Sequence, residues 1–521
     1  MKLLKKLELV DWSSPRFATL TIATAYLLSR VFGLVRDRLL AGHFGVGIQT
    51  DAYTAAFRIP EFIFNIIAAG SLAVSFIPVY LAVQKRSGKE HAEQLYSTLW
   101  NLVIMIALAG SIVAFILTPW LVEHLIAPGF DRSSQELVAR LSRIMLATPL
   151  LFVLSSLVGA YLQAKKRFIV DSLSGVFYNV GIIIGILFFA RLFDNPIYGV
   201  AWGVVFGTFI QFLIPTSLTM LLGWRYQAGA LKFWDPDVIR VLKITLPRIL
   251  STATDQVTLV VQNSLGSFLA TGSIASYYFA NNLKNVPLGM IGASMSIATF
   301  PSLIQAALES KQVMKKVFRR NLEIATIVIT VVLSMMLTSV DSLVALIYGL
   351  DSQLISRLFV YLIPAVFAYS LLLLVSRAFY ALEDTKTPFI VALAVMLLNI
   401  VLSFVLSGRL EVAGLALAIS ISGVAQLGIL LWLLSHKINL DPRDIWTSIV
   451  VNGIYLFGIL LIPSSFEFGQ GLIAELIGLT VNSGVVLIGY LIYAKIVRIE
   501  PVNQGLDWGW NKLKNRYGGK N

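Results

Sequence analysis

Cysteine is absent from the 521 residues, which excludes disulfides, thiol chemistry and cysteine-ligated metals. Histidine is nearly absent: His43, His91, His124 and His436 are scattered, which argues against a histidine-rich metal site. Charge is scarce as well. Only 13% of residues are Asp, Glu, Lys or Arg, against about 25% in a soluble globular chain. That deficit, with 57% hydrophobic residues and a mean hydropathy of +0.80, places the chain among membrane proteins. No HExxH, GxxxxGK[ST] or GxSxG pattern occurs, so neither ATPase nor hydrolase chemistry is signalled, and the chain reads as a non-enzyme without a cofactor. The amino-terminal MKLLKKLELVDWSSPRF is basic, then polar, and lacks the apolar core and small-residue cleavage site of a secretory signal.

What is present is a series of apolar runs. Fourteen are long enough to span, each needing about 20 residues. They lie near 17–42, 51–83, 95–118, 137–162, 168–190, 197–222, 241–265, 273–306, 321–347, 354–382, 388–407, 411–435, 446–463 and 472–497. The second and eighth exceed an untilted crossing and contain Pro60 and Pro78, and Pro287 and Pro301, so both are expected to break where they line a cavity. The net charge of +13 is read through topology rather than nucleic-acid binding. The amino terminus, the even-numbered loops and the tail hold 28 of the 41 basic residues, so both termini are expected in the cytoplasm.

The chain also repeats itself. Pro149, Phe152, Gly199, Ala201 and Gln211 recur as Pro364, Phe367, Gly414, Ala416 and Gln426, each 215 residues on, and Phe168-Ile169-Val170 and Asn179 recur as Phe389-Ile390-Val391 and Asn399. Six spans separate the copies, so the halves insert in the same orientation around a central cavity. The expected fold is an all-α polytopic membrane protein of about fourteen helices. Its parts are a cytoplasmic segment 1–16, an N-lobe 17–222, a cytoplasmic linker 223–240, a C-lobe 241–435, two added helices in 446–497 and a cytoplasmic tail 498–521.

Charges inside membrane-length helices cost roughly 2.5–3.5 kcal/mol each on insertion scales and mark function. The stretch from Ser29 to Pro78 holds Arg30, Arg36, Asp37, Arg38, Asp51, Arg58 and Glu61, and later helices add Arg248, Asp255, Lys284 and Arg377. Arg30 lies roughly 20 Å and Arg36 roughly 29 Å into the first helix. Arg30 and Asp37, seven apart, are expected on one face. Two readings stand side by side. Arg36–Asp37, Arg58–Glu61 and Arg248–Asp255 are structural ion pairs, or the cationic surplus of the first two spans receives an anionic headgroup, to which arginine's planar fork is suited. Trp100, Trp120, Trp202 and Trp446 are read as interface anchors or lipid-facing packing.

At these residues the chain resembles the MurJ/MviN family of lipid II flippases, within the multidrug/oligosaccharidyl-lipid/polysaccharide exporter superfamily. The similar stretches are SRVFGLVRDRLLAGHFG from Ser29, TDAYTAAFRIPEF from Thr50, FIPVY from Phe76, APGF from Ala127 and SRAFYALEDTKTP from Ser376. The resemblance implies transport of an undecaprenyl-diphosphate-linked peptidoglycan precursor to the outer leaflet of the bacterial plasma membrane by alternating access. It implies required arginines at Arg30 and Arg36, with Asp37 beside them, and an important acidic position at Asp51. Substrate contacts are expected from Arg30, Arg36, Asp37, Asp51, Arg58, Glu61, Asn282 and Lys284. Two departures stand out: an arginine pair of the family reads Phe64-Asn65 here, and an Asp-Arg pair reads Asn281-Asn282, a loss that Arg58 or Lys284 offsets in part. The sodium site of some members has only Asn399 here, without an accompanying carboxylate. Expected partners are the lipid-linked precursor and membrane lipids, with cell-wall synthesis proteins as further candidates and no nucleic acid. The competing functions are a flippase for another polyprenyl-diphosphate glycan, such as an O-antigen or capsule unit, and a non-transporting scaffold. A drug/cation antiporter would want buried carboxylates rather than arginines.

Overall fold

A chain inside a bilayer must satisfy its backbone hydrogen bonds within itself, and helices do so segment by segment. In the computed structural model the described residues are 15–68, 71–349, 352–459 and 472–497, with Ile499 and Val502; among them no strand occurs. Nine helices among these residues are long and apolar enough to cross a membrane. They divide into two units, Met1–Ala275 and Ser276–Asn521.

The first unit contains α1 (Pro15–Phe44), α2 (Ile48–Ala56), α3 (Arg58–Ala68), α4 (Ser71–Leu121), α5 (Arg132–Met145), α6 (Thr148–Ala164), α7 (Phe168–Ser172), α8 (Ser174–Leu187), α9 (Ile197–Leu221) and α10 (Pro236–Gly266). The second expected span is broken into α2, α3 and the start of α4. The second and third spans then run on through α4, which turns at Gly88 (φ 85°, ψ 175°), a backbone state glycine reaches without steric cost. The fourth span is likewise divided, between Met145 and Thr148, just before Pro149.

Aromatic packing centres this unit. Tyr96 stacks on Tyr161 at 4.4 Å, Trp100 meets Trp224 at 5.0 Å, and Phe76 and Tyr80 close the cluster. Trp100, expected at an interface or against lipid, is instead buried here, because α6 and the segment after α9 both cover its face of α4. Trp120 and Trp202 are exposed, and the side chain of Trp446 lies outside the described residues. The segment after α9 is docked rather than loose: the Asn101 side-chain amide donates to the carbonyls of Gln227, Ala228 and Ala230.

The second unit contains most of α11 (Ser273–Pro287), then α12 (Ser294–Glu309), α13 (Lys311–Thr338), α14 (Val340–Tyr348), α15 (Gln353–Ala381), α16 (Lys386–Ile438), α17 (Pro442–Ile459) and α18 (Leu472–Val497). A π-helical segment, Leu288–Ala293, separates α11 from α12 directly after Pro287, whereas Pro301, expected to break the same span, lies inside the continuous α12. Pro364 interrupts the hydrogen bonding of α15, and Ser420 from α16 repairs it: its hydroxyl donates to the Tyr361 carbonyl at 2.6 Å and accepts from the Ala365 N–H at 3.3 Å. The DTKTP loop between α15 and α16 is held by Asp384, which accepts from Lys437 Nζ at 2.6 Å and from the Thr387 N–H at 3.0 Å. Burial would raise the Asp384 carboxyl, but these donors hold it down at about 2.

The offset of 215 residues has a counterpart in packing. A Cβ on Gly199 would lie 2.3 Å from the Ala190 nitrogen, and one on Gly414 would lie 2.3 Å from the Leu406 carbonyl carbon. In both halves the glycine lets a helical run fold back against the end of the run before it: α9 against the end of α8 and its following turn, and, within α16, the part after the non-helical turn at Glu411 (φ 51°, ψ −136°) against the part before it.

Candidate functional site

The charged side chains of the first unit are arranged by α1, α3 and α8. Arg36 projects from α1 toward α8. Its Nε and Nη2 donate to Asp37 Oδ1 at 2.9 and 2.7 Å, and its Nη1 donates to Asn179 Oδ1 at 3.1 Å. Asn179 is buried and donates in turn to the backbone carbonyls of Ser29 on α1, at 3.2 Å, and of Gly175, at 2.9 Å. Arg36 is thus the half-buried partner of a buried carboxylate, in a pair whose geometry a second helix fixes.

Arg30 differs. It is exposed, its Nη2 donates to the Tyr26 hydroxyl at 2.8 Å, and its guanidinium lies 5.2 Å from the centre of that ring. Tyr26 sits four residues earlier on the same helix face, the spacing at which side chains meet. Arg30 and Asp37, expected to share a face, are separated by environment: Asp37 turns inward with Arg36 and is buried, while Arg30 remains open. An aromatic-braced, accessible guanidinium keeps donors available for an anion.

Arg58 and Glu61 pair at 3.0 Å across one turn of α3. The Arg58 Nε is buried and has no hydrogen-bond partner, so this guanidinium is only partly spent. Three residues on, Phe64 packs against Phe152 at 5.1 Å, so a position where the resemblance implies an arginine serves apolar packing.

Asp51 is placed unlike the others. It is buried, and its two carboxylate oxygens accept from the backbone N–H groups of Gly272 and Ala275, each at 2.6 Å. It therefore caps the start of α11, where free amides and the helix dipole favour a carboxylate. Two further contacts bind the same region. The Gly129 N–H donates to Ser267 Oγ at 2.9 Å, and Asn263 donates to the Ile126 carbonyl at 2.9 Å. Gly129 of the APGF stretch is required there, as a Cβ would lie 2.6 Å from the Phe268 nitrogen.

In the second unit Lys284 is buried near the end of α11, with Nζ 5.7 Å from the centre of the Tyr369 ring on α15. Among the described residues no carboxylate pairs with it. Asn281 and Asn282 are half-buried just before it. Arg377 lies over Phe300 at 4.8 Å. Asn399 is buried and donates to Ser422 Oγ at 3.3 Å. The side chain of Arg248, and with it the expected Arg248–Asp255 pair, lies outside the described residues.

The residue that pattern reading underused is Asn179. It is visible in the repeat but was not linked to Arg36, 143 positions away.

The family model described as "Lipid II flippase MurJ" matches residues 40–475. The chain belongs to the lipid II flippase MurJ family. Among curated members, the probable lipid II flippase MurJ of Thermotoga maritima is 26% identical over 502 residues, covering 94% of this chain and 98% of that protein. That of Buchnera aphidicola subsp. Schizaphis graminum is 26% identical over 475 residues, covering 87% and 91%. The lipid II flippase MurJ of Burkholderia cenocepacia is 26% identical, covering 82% and 85%. Among solved structures, a lipid II flippase MurJ in an inward closed conformation superposes with a TM-score of 0.75 at 23% identity, covering 91% of this chain and 98% of that one. An inward-facing multidrug transporter of the MATE family follows at 0.66 and 14% identity, covering 81% and 98%. The MurJ fold is therefore shared along nearly the whole chain, and it is a helical transporter fold. Arg30 and Arg36 lie just before the segment that the family model matches.

Proposed function

We propose that the chain is a lipid II flippase: it moves the lipid-linked peptidoglycan precursor from the inner to the outer leaflet of the bacterial plasma membrane by alternating access, without covalent chemistry. The match to the MurJ family over residues 40–475 carries this reading. The charged side chains support it. The exposed guanidinium of Arg30, the partly unspent one of Arg58 and the buried ammonium of Lys284 are the groups assigned to the diphosphate. Arg36, Asp37 and Asn179 brace the helix that carries Arg30, Glu61 positions Arg58, and Asn282 stands beside Lys284 on its own helix. Asp51 acts at a distance from the substrate, by fixing the start of α11. The two lobes, 17–222 and 241–435, are proposed to alternate with both termini in the cytoplasm. Cell-wall synthesis proteins are proposed as partners of the assembled machine.

Complementation tests the function. A strain depleted of its own flippase should regain growth and outer-leaflet lipid II on expressing this chain, and Arg30→Ala should abolish both at normal membrane abundance. No rescue by abundant wild-type protein would overturn the reading. Rescue of a strain lacking an O-antigen or capsule flippase instead would assign the second glycan class, which Phe64-Asn65 and Asn281-Asn282 favour by removing family arginines.

A further inference from the structure

The first turns of α13 carry Lys311, Lys315, Lys316, Arg319 and Arg320 within ten residues, with no acidic residue among them. Met314 and Phe318, four apart, are buried, and Leu322 continues that face. Lys311, Lys316, Arg319 and Arg320 are exposed, and Lys315 is half-buried. Arg319 pairs with Glu323 at 2.8 Å. Lys311, Lys315, Lys316 and Arg320 have no acidic partner among the described residues.

These cations do not serve their own helix. Positive charge at the amino end opposes the helix dipole. The end is already capped by Ser310, whose hydroxyl accepts from the Val313 N–H at 3.2 Å. Crowded along about 15 Å of helix, the charges also repel one another. Only an anion outside the chain relieves the arrangement.

The neighbouring residues say which anion. Leu308, at the end of α12, is 82% exposed. The helices on either side, Ser273–Glu309 and Lys311–Thr338, are both apolar enough to span. The apolar part of α13 begins beyond Arg320, so the basic turns stand at headgroup level, where long cationic side chains reach phosphates while their stems lie on apolar surface. A nucleic acid or acidic protein would use the charges but leave Leu308 in water. We infer that the α12–α13 corner is a binding site for anionic phospholipid, with lipid phosphates met by the neighbouring pair Lys311 and Lys315 on one side of α13 and by Lys316 and Arg320 on the other, and the acyl region met by Leu308. The site uses none of the residues assigned to the transported lipid, so its failure would leave the flippase reading intact.

The test uses the full chain in phosphatidylcholine nanodiscs, titrated with phosphatidylglycerol and read by native mass spectrometry. The wild type should prefer phosphatidylglycerol. Neutralising Lys311, Lys315, Lys316 and Arg320 to Gln should weaken binding by about tenfold or more. The fully exposed pair Lys311→Gln and Lys316→Gln should give a smaller loss in the same direction, with unchanged thermal unfolding. Leu308→Gln should weaken binding a few-fold. Neutralising the exposed Arg225, Lys232, Arg240 and Lys243 removes the same charge from another basic stretch and should leave the preference in place. Unchanged binding in the α13 variants, or an equal loss in the control, overturns the proposal. So does an acidic peptide that competes equally well whether or not Leu308 is replaced.

Discussion

Arg36 shows how a single side chain ties two helices together. Its guanidinium bridges Asp37 beside it and Asn179 on another helix, and both are buried. Removing Arg36 leaves the buried Asp37 carboxylate uncompensated, at a cost of up to about 3–5 kcal/mol. Arg36→Ala should therefore lower the unfolding temperature of the purified protein, and adding Asp37→Ala should restore part of the loss. Arg36→Ala melting like the wild type would remove the structural role. Asp51 leads to a different expectation. Asp51→Asn keeps one acceptor oxygen but turns the other position into a donor that faces an N–H. One of the two backbone bonds is lost, at about 1–3 kcal/mol. Hydrogen exchange should accelerate at the Gly272 and Ala275 amides while the α8–α9 region stays protected. The reason Asp51 could not be placed from sequence is physical. Its partners are backbone amides more than 220 positions away, and a backbone amide has no letter. Arg36–Asp37 and Arg58–Glu61 were legible because adjacent and one-turn pairs are local, and because a charge in an apolar helix stands out.

At the scale of elements, glycine sets how closely helices approach. A Cβ on Gly203 of α9 would sit 2.6 Å from the Gly185 Cα of α8 and 3.1 Å from the Gly181 carbonyl oxygen. Both near atoms are backbone, so the helices themselves must part. Gly203→Val should destabilise by at least the roughly 1–3 kcal/mol of an overpacked core, whereas Gly453→Val, where a Cβ meets nothing within 4 Å, should be close to neutral. Thermal unfolding of the two variants side by side decides it. Equal melting would mean that α8 and α9 do not pack backbone to backbone. Proline was an uneven guide to breaks between elements: the helix is interrupted after Pro287, but Pro78 lies within α4 and Pro301 within α12 without interrupting them. Trp100 was misread because residue type alone does not tell which side of a helix a neighbour will cover, and its cover comes from α6 and from Trp224, 124 positions on.

At the scale of the molecule, the distribution of Lys and Arg predicts which side of the membrane each loop faces, and the absence of cysteine makes that expectation directly measurable. Every thiol introduced is the only thiol in the protein. Ser310, between α12 and α13, and Lys232, before α10, fall in loops assigned to the cytoplasm, while Arg132 at the start of α5 and Ser352 before α15 fall in loops assigned to the outside. Single cysteines at Arg132 and Ser352 should react with a membrane-impermeant maleimide in intact spheroplasts. Those at Ser310 and Lys232 should react only after lysis. The four positions straddle both halves of the repeat, so the pattern also tests parallel insertion: two halves of like orientation place Arg132 and Ser352 on the same side, while inverted halves would place them on opposite sides. Labelling of Ser310 in intact cells, or protection of Ser352, would overturn the orientation. It would also move the cationic turns of α13 to the outer leaflet, where the same anionic lipid chemistry could be sought but the basic-loop bias would need another cause.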